Sequence, residues 1–193
     1  FTNSFVANSI SGPSRACMLT GKHSHANGFI NNSTTFNGDQ LTFPKLLQQN
    51  GYQTAMIGKW HLVSDPQGFD HWEILPGQGD YYNPTFIQMN GERVQVEGYA
   101  TNIITDKAID WIENQRDESK PFCMLLHHKA PHRTWMPDTC DLELFADKTF
   151  PLPENFYDNY EGRLAAQKQK MNIANDMEIV YDLKMADKEN EIH

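Results

Sequence analysis

The chain has 193 residues, enough to bury one sizeable core and to form a single domain or a large part of one. Its 16 basic and 25 acidic residues give a formal net charge of -9, which argues against a broad electropositive surface for nucleic acid or anionic lipid. No apolar run approaches the roughly 18 to 20 residues of a membrane span, and the mean hydropathy is -0.63. The three cysteines, Cys17, Cys123 and Cys140, have no metal-ligand spacing, and an odd count defines no disulfide framework.

Helix-period and strand-like segments alternate along the chain, which points to an α/β layer architecture. Pro13 to Leu19 reads as a short helix, Pro13 suiting its first turn and Gly21 its end. Leu41 to Asn50 has helical spacing at Phe43, Leu46 and Leu47, with Gly51 as the stop. Tyr52 to Gly58 reads as a short buried strand that delivers Lys59, Trp60 and His61 at its end, where open α/β sheets place ligands. Between Thr85 and Val96 two short apolar segments flank Asn90-Gly91, a pair preferred in tight hairpins. Ile104, Ala108, Trp111 and Ile112 fall on one face of an amphipathic helix over residues 101–116.

After Lys120-Pro121, Phe122 to Leu126 reads as a second buried strand, ending in His127-His128-Lys129-Ala130-Pro131-His132. Beyond Pro151 the composition changes to an aromatic loop and then a long polar helical stretch from Arg163 to Asp187; Lys188 to His193 has no core face. With no internal repeat and no low-complexity linker, one unit over residues 1–193 is expected, residues 151–193 being a loop and polar helical stretch within it.

Ser11-Gly12-Pro13-Ser14-Arg15 enters the first predicted helix. With Ser11 at or before the N-cap, the helix's free amides and positive dipole end would face an anion held beside it. Arg15, four residues on, returns to the same side, where a guanidinium can grip an oxyanion bidentately. A capped surface helix fits these residues equally well. Lys59 and His61, two apart in an extended segment, would face one pocket, although a lone Lys-x-His is commonly solvated surface. His127, His128 and His132 lack a zinc-binding spacing, and neighbours 127 and 128 on a strand point oppositely.

The run Ser11-Gly12-Pro13-Ser14-Arg15-Ala16-Cys17-Met18-Leu19-Thr20-Gly21 resembles the signature of the formylglycine-dependent sulfatase family in its serine-type form. Gly58-Lys59-Trp60-His61-Leu62 resembles the family's Gly-Lys-Trp-His segment, and Pro121 to His132 its apolar strand with a following Pro-His turn. The resemblance implies an alkaline-phosphatase-like α/β core, a mixed sheet flanked by helices, of which this chain would be a part. It also implies that Ser11 is oxidised to formylglycine. One hydroxyl of the hydrated aldehyde would attack sulfur, and deprotonation of the other would expel sulfate. Arg15 and Lys59 would bind oxyanions, His61 would orient or deprotonate the hydrate, and His132 would protonate the leaving alcohol. His128 and Lys129 are expected to contact substrate. A calcium or other divalent cation is implied, with Ser11 as formylglycine its one ligand in this chain and the others before Phe1 and after His193.

Gly68-Phe69-Asp70-His71-Trp72 and Gly79-Asp80-Tyr81-Tyr82-Asn83-Pro84, together with the His127 cluster, look most like the N-acetylglucosamine-6-sulfatase branch. The implied substrate is a 6-O-sulfated N-acetylglucosamine of a glycosaminoglycan or mucin glycan; Trp72, Tyr81 and Trp135 could stack on sugar faces and fit a packed core equally well. A serine-type site implies a radical formylglycine-generating maturase as partner, and the family implies a periplasmic or secreted location. Two other readings fit the same residues: a phosphate or phosphonate ester hydrolase of the superfamily, and a non-catalytic relative that binds sulfated glycan.

Overall fold

A computed structural model describes residues 2–170 and 176–182. The chain forms two compact units, Phe1–Ala130 and Pro131–His193. The division falls ahead of Pro151, where the composition changes.

The first unit is built on a five-stranded sheet. Its strands are β1 (Gln53–Lys59), β2 (His71–Leu75), β3 (Thr85–Gln88), β4 (Arg93–Gln95) and β5 (Phe122–His127), in the order β4-β3-β2-β1-β5. β1 runs parallel to both β2 and β5, pairing Ala55 with His71 and Gly58 with His127. β3 and β4 add antiparallel strands beyond β2, joined by the hairpin at Asn90-Gly91. The sheet is therefore mixed. β1 is central and covered on both faces, which is why Thr54 to Ile57 read as an unbroken buried run.

Alternate residues of β1 face opposite layers. Met56 joins a cluster with Ala16 and Leu19 of α1 (Ser11–Thr20), Trp60, Trp72 and Ile74. Ala55 and Ile57 join Leu75, Phe86 and, from α4 (Ala100–Asp110), Ile104 and Ala108. Burying Met56, Ile57 and Phe86 contributes roughly 1.5–3 kcal/mol each. Two further helices, α2 (Ser24–Asn27) and α3 (Phe43–Gln49), complete the unit, α3 starting after Thr42 with Pro44 in its first turn. No helix among the described residues is long and apolar enough to cross a membrane.

Several elements differ from expectation. The helix over residues 101–116 is α-helical only to Asp110 and continues as a π turn, Trp111–Gln115. β5 is half-buried rather than buried, because among the described residues it is paired on one side only, by β1. β2 was not expected as a strand. Trp72, for which a sugar platform and a core position were both open, lies in the core at 5% exposure.

In the second unit the described regular elements are a 3-10 turn at Thr139–Asp141 and short helices at Leu164–Lys168 and Ile179–Asp182. The expected helix from Arg163 is broken at Gln169, which is extended. Residues 171–175 and 183–193, including Lys188 to His193, lie outside the described residues. Arg133 donates from Nε and Nη2 to the two carboxylate oxygens of Asp182, each at 2.7 Å. The backbone amide of Trp135 donates to the Asp182 carbonyl.

Candidate active site

The site begins at the N-terminus of α1. Ser11 is the first helical residue, not the cap as expected; Ile10, extended at φ -91 and ψ 137, holds that position. The side chain of Asn32 accepts a hydrogen bond from the amide of Gly12 at 3.2 Å and so satisfies one of the helix's free donors. Ser11 Oγ, freed from capping, lies 2.9 Å from Nδ1 of His61.

Lys59 and His61 were expected to share a side because the segment would be extended. The strand ends at Lys59, however, and His61 is left-handed at φ 57, as is Val63 at φ 71. The two side chains converge by this bend, not by strand alternation, and meet at Gln78 in the connection between β2 and β3. Lys59 Nζ donates to Gln78 Oε1, and His61 Nε2 lies 3.4 Å from Gln78 Nε2. Lys59 is 2% exposed. Burial, then the charges of Arg15 and Lys129, lower its ammonium to about 8.

Arg15 Nη1 lies 3.1 Å from Nδ1 of His127 at the end of β5. Burial lowers Arg15 from its ordinary value, and its Nε is buried with no hydrogen-bond partner among the described residues. His127 Nδ1 is also 3.2 Å from the carbonyl of Lys59. Burial, followed by the charge of Arg15, holds this imidazole at about 4, so it is neutral near pH 7. His128, the next residue, has a buried Nδ1 with no hydrogen-bond partner among the described residues. Lys129 is buried, 4.7 Å from the centre of the Tyr81 ring, and donates to the Gln78 carbonyl at 3.4 Å. Tyr81 is thus a platform for Lys129 inside the protein, not a surface for sugar.

Ser11, Arg15, Lys59, His61 and Lys129 therefore belong to one linked region of the first unit, with no carboxylate among them. His132 lies in the second unit, where its Nδ1 bonds the Arg133 carbonyl. Among the described residues no three histidine, cysteine, aspartate or glutamate side chains come together as a metal site. The residues around Ser11 do not by themselves fit a divalent cation.

The sulfatase family's sequence profile matches residues 1–180. The chain belongs to the sulfatase family. It is 59% identical over 193 residues to the N-acetylglucosamine-6-O-sulfatase of Bacteroides thetaiotaomicron, covering 98% of this chain and 34% of that protein. An uncharacterized sulfatase of Escherichia coli, YdeN, is 33% identical over 165 residues, covering 68% of this chain and 30% of that one. A solved structure of a protein in complex with its substrate D-glucosamine-2-N,6-O-disulfate is 59% identical with a TM-score of 0.89. That match covers 97% of this chain and 38% of the other. This sulfatase chain spans about a third of the length of the curated relatives it matches.

Two residues of the candidate site, Gln78 and Asn32, stand outside the sequence motifs. Gln78 lies in Pro76-Gly77-Gln78-Gly79, a composition common in surface turns. Its signal is position: it follows a strand paired in parallel with the one that ends at Lys59. Asn32, which takes the Gly12 amide, sits in a polar run, Asn31-Asn32-Ser33, with no periodic signal.

Proposed function

We propose that the protein is a sulfuric ester hydrolase that removes O-sulfate from a carbohydrate, 6-O-sulfated N-acetylglucosamine of a glycosaminoglycan or mucin glycan, through formylglycine at Ser11. The observation that carries this reading is the meeting of Ser11 Oγ and His61 Nδ1 at 2.9 Å, beside buried cationic groups, in a chain 59% identical to a protein named for that activity. A sulfate ester gathers negative charge on its oxygens during cleavage, and prearranged cations in a dry site offset it.

Once formed, formylglycine supplies as its hydrate both the oxygen that attacks sulfur and the route by which sulfate leaves. The side chains of this chain would act around that oxygen. His61 holds it, while the Lys59 ammonium neutralises the sulfate oxygens. Arg15, whose charge acts on Lys59, adds its guanidinium to the positive field of the same region. His128 and Lys129 would contact substrate and His132 would protonate the leaving alcohol. The divalent cation that the family implies would take formylglycine at position 11 as one ligand and would need further ligands beyond those that the described residues around Ser11 offer. Oxidation of a serine rather than a cysteine supports a radical maturase as partner, and the family supports a periplasmic or secreted location.

The experiment uses the full-length protein. Mass spectrometry of the peptide containing Ser11 should find the aldehyde, and release of sulfate from 6-O-sulfated N-acetylglucosamine should vanish in Ser11→Ala. Full turnover by material whose Ser11 is an unmodified serine would remove the proposal, and faster cleavage of an aryl phosphate than of an aryl sulfate would redirect it.

A further inference from the structure

Three polar atoms of Gln78 each reach a different group of the candidate site. Its Oε1 accepts from Lys59 at the end of β1, its Nε2 lies 3.4 Å from His61 Nε2, and its backbone carbonyl accepts from Lys129 beyond β5 at 3.4 Å. A solvated loop glutamine would spend these groups on water. Here the turn presents them inward: the Gly79 amide donates to the Pro76 carbonyl at 2.9 Å, and Gly79 is left-handed at φ 68. A Cβ at residue 79 would sit 2.6 Å from Leu75 Cδ1, so the turn packs against the end of β2 without room for a side chain.

The donor and acceptor chemistry fixes the direction of this chain of contacts. An ammonium only donates, so the carboxamide turns its oxygen to Lys59 and its NH2 to His61. An amide nitrogen donates and does not accept, which makes His61 Nε2 the acceptor. The neutral ring then carries its hydrogen on Nδ1, the atom 2.9 Å from Ser11 Oγ.

We infer that Gln78 is a positioning residue of this site: its carboxamide ties Lys59 to His61 and holds the imidazole as a hydrogen-bond donor toward the oxygen on residue 11. The inference rests on the proposed function for its chemical meaning. It makes His61 a donor that steadies that oxygen, and the amide of residue 78 the group that selects which ring nitrogen does so.

The test uses the full-length, matured protein with 6-O-sulfated N-acetylglucosamine. Gln78→Leu keeps the side chain's bulk and removes both amide contacts. It should lower kcat on the order of 10²-fold, the scale of misplaced catalytic groups. In a His61→Asn background the same change should cost no more than about 10-fold, because most of its route is already gone. The ring nitrogen-15 signals of His61, assigned by their loss in His61→Asn, should report hydrogen on Nδ1 in the unaltered protein and move toward the Nε2–H form in Gln78→Leu. Independent, multiplying losses in the double variant, or an unmoved nitrogen pattern, would overturn the inference. The spectrum needs no turnover, so an inactive protein would remove the proposed reaction and still leave the role of Gln78 decided. Should Gln78→Leu not fold, Gln78→Glu replaces the donor facing His61 by an acceptor and should drive the ring to the Nε2–H form; an unchanged ring there overturns the inference equally.

Discussion

Arg15 Nη1 lies 3.1 Å from His127 Nδ1, so the helix that carries Ser11 is tied to the last residue of β5. The same ring nitrogen faces the Lys59 carbonyl at 3.2 Å, and it cannot accept from one and donate to the other at once. His127, held at about 4 by burial and then by Arg15, has an ordinary value of 6.5. Between these values the unfolded chain binds more protons than the native one, so stability falls as pH drops from 6.5 toward 4 and is level above that window. The loss should be on the order of 1–3 kcal/mol. Denaturant midpoints at pH 7 and pH 4.5 should differ, and His127→Gln should shrink the difference.

Lys59 gives two pH dependences of opposite sign. Its ammonium, lowered to about 8 by burial and then by Arg15 and Lys129, is charged below that pH and neutral above it. Affinity for inorganic sulfate and turnover should therefore decline as pH rises through 8. Stability without ligand should instead rise between 8 and 10.5, where the unfolded chain still binds the proton that the native state has released. Sulfate inhibition and thermal midpoints across pH 7 to 10 check both signs, and Lys59→Met should flatten both curves.

Gly58 and His127 are partners in the register of β1 and β5, and Gly58 has φ 103. A Cβ at residue 58 would sit 2.1 Å from the His127 carbonyl oxygen, which is backbone and cannot swing aside. Gly58→Ala should cost more than about 3 kcal/mol by forcing the two strands apart at the level of Lys59. A substitution that leaves the denaturation midpoint within a degree would contradict this register.

The half of the candidate site that lies in short motifs was legible in the sequence; the half that lies in contacts was not. Ser11, Arg15, Lys59 and His61 stand in runs that resemble the sulfatase family's motifs, and that resemblance is what implies their chemistry. Which atoms meet depends on the left-handed backbone at His61 and on Asn32 taking over the Gly12 amide, and neither leaves a periodic trace. The buried run of β1 and the amphipathic stretch of α4 were readable because each buries a regular face. β2 escaped because His71 and Glu73 interrupt its apolar pattern, and the partners that accommodate Glu73 include, besides His71, Lys107 from 34 positions away.

That partner supplies a further stability test. Burial pushes the Glu73 carboxyl up, but hydrogen bonds from His71 and Lys107 and their charges prevail and hold it well below its ordinary value. Lys107 Nζ donates to Glu73 Oε2 at 2.6 Å and stands 5.0 Å from the centre of the Phe86 ring. Lys107→Met should destabilise by about 1–3 kcal/mol, since it strands a largely buried carboxylate. Adding Glu73→Gln should restore much of the loss, which a double-mutant cycle by chemical denaturation would measure.

Val63 follows His61 in the same bend, is 69% exposed and adopts φ 71, where a branched side chain is poorly accommodated. The bend that turns His61 toward Ser11 therefore comes at the expense of resilience. Replacing Val63 by asparagine or glycine should raise the melting temperature by relieving strain on the order of 1 kcal/mol, while giving the segment more freedom to wander from its working shape. A heat-tolerance screen of this protein would then select such a change readily, and variants gained that way should be the first ones re-assayed for lost turnover.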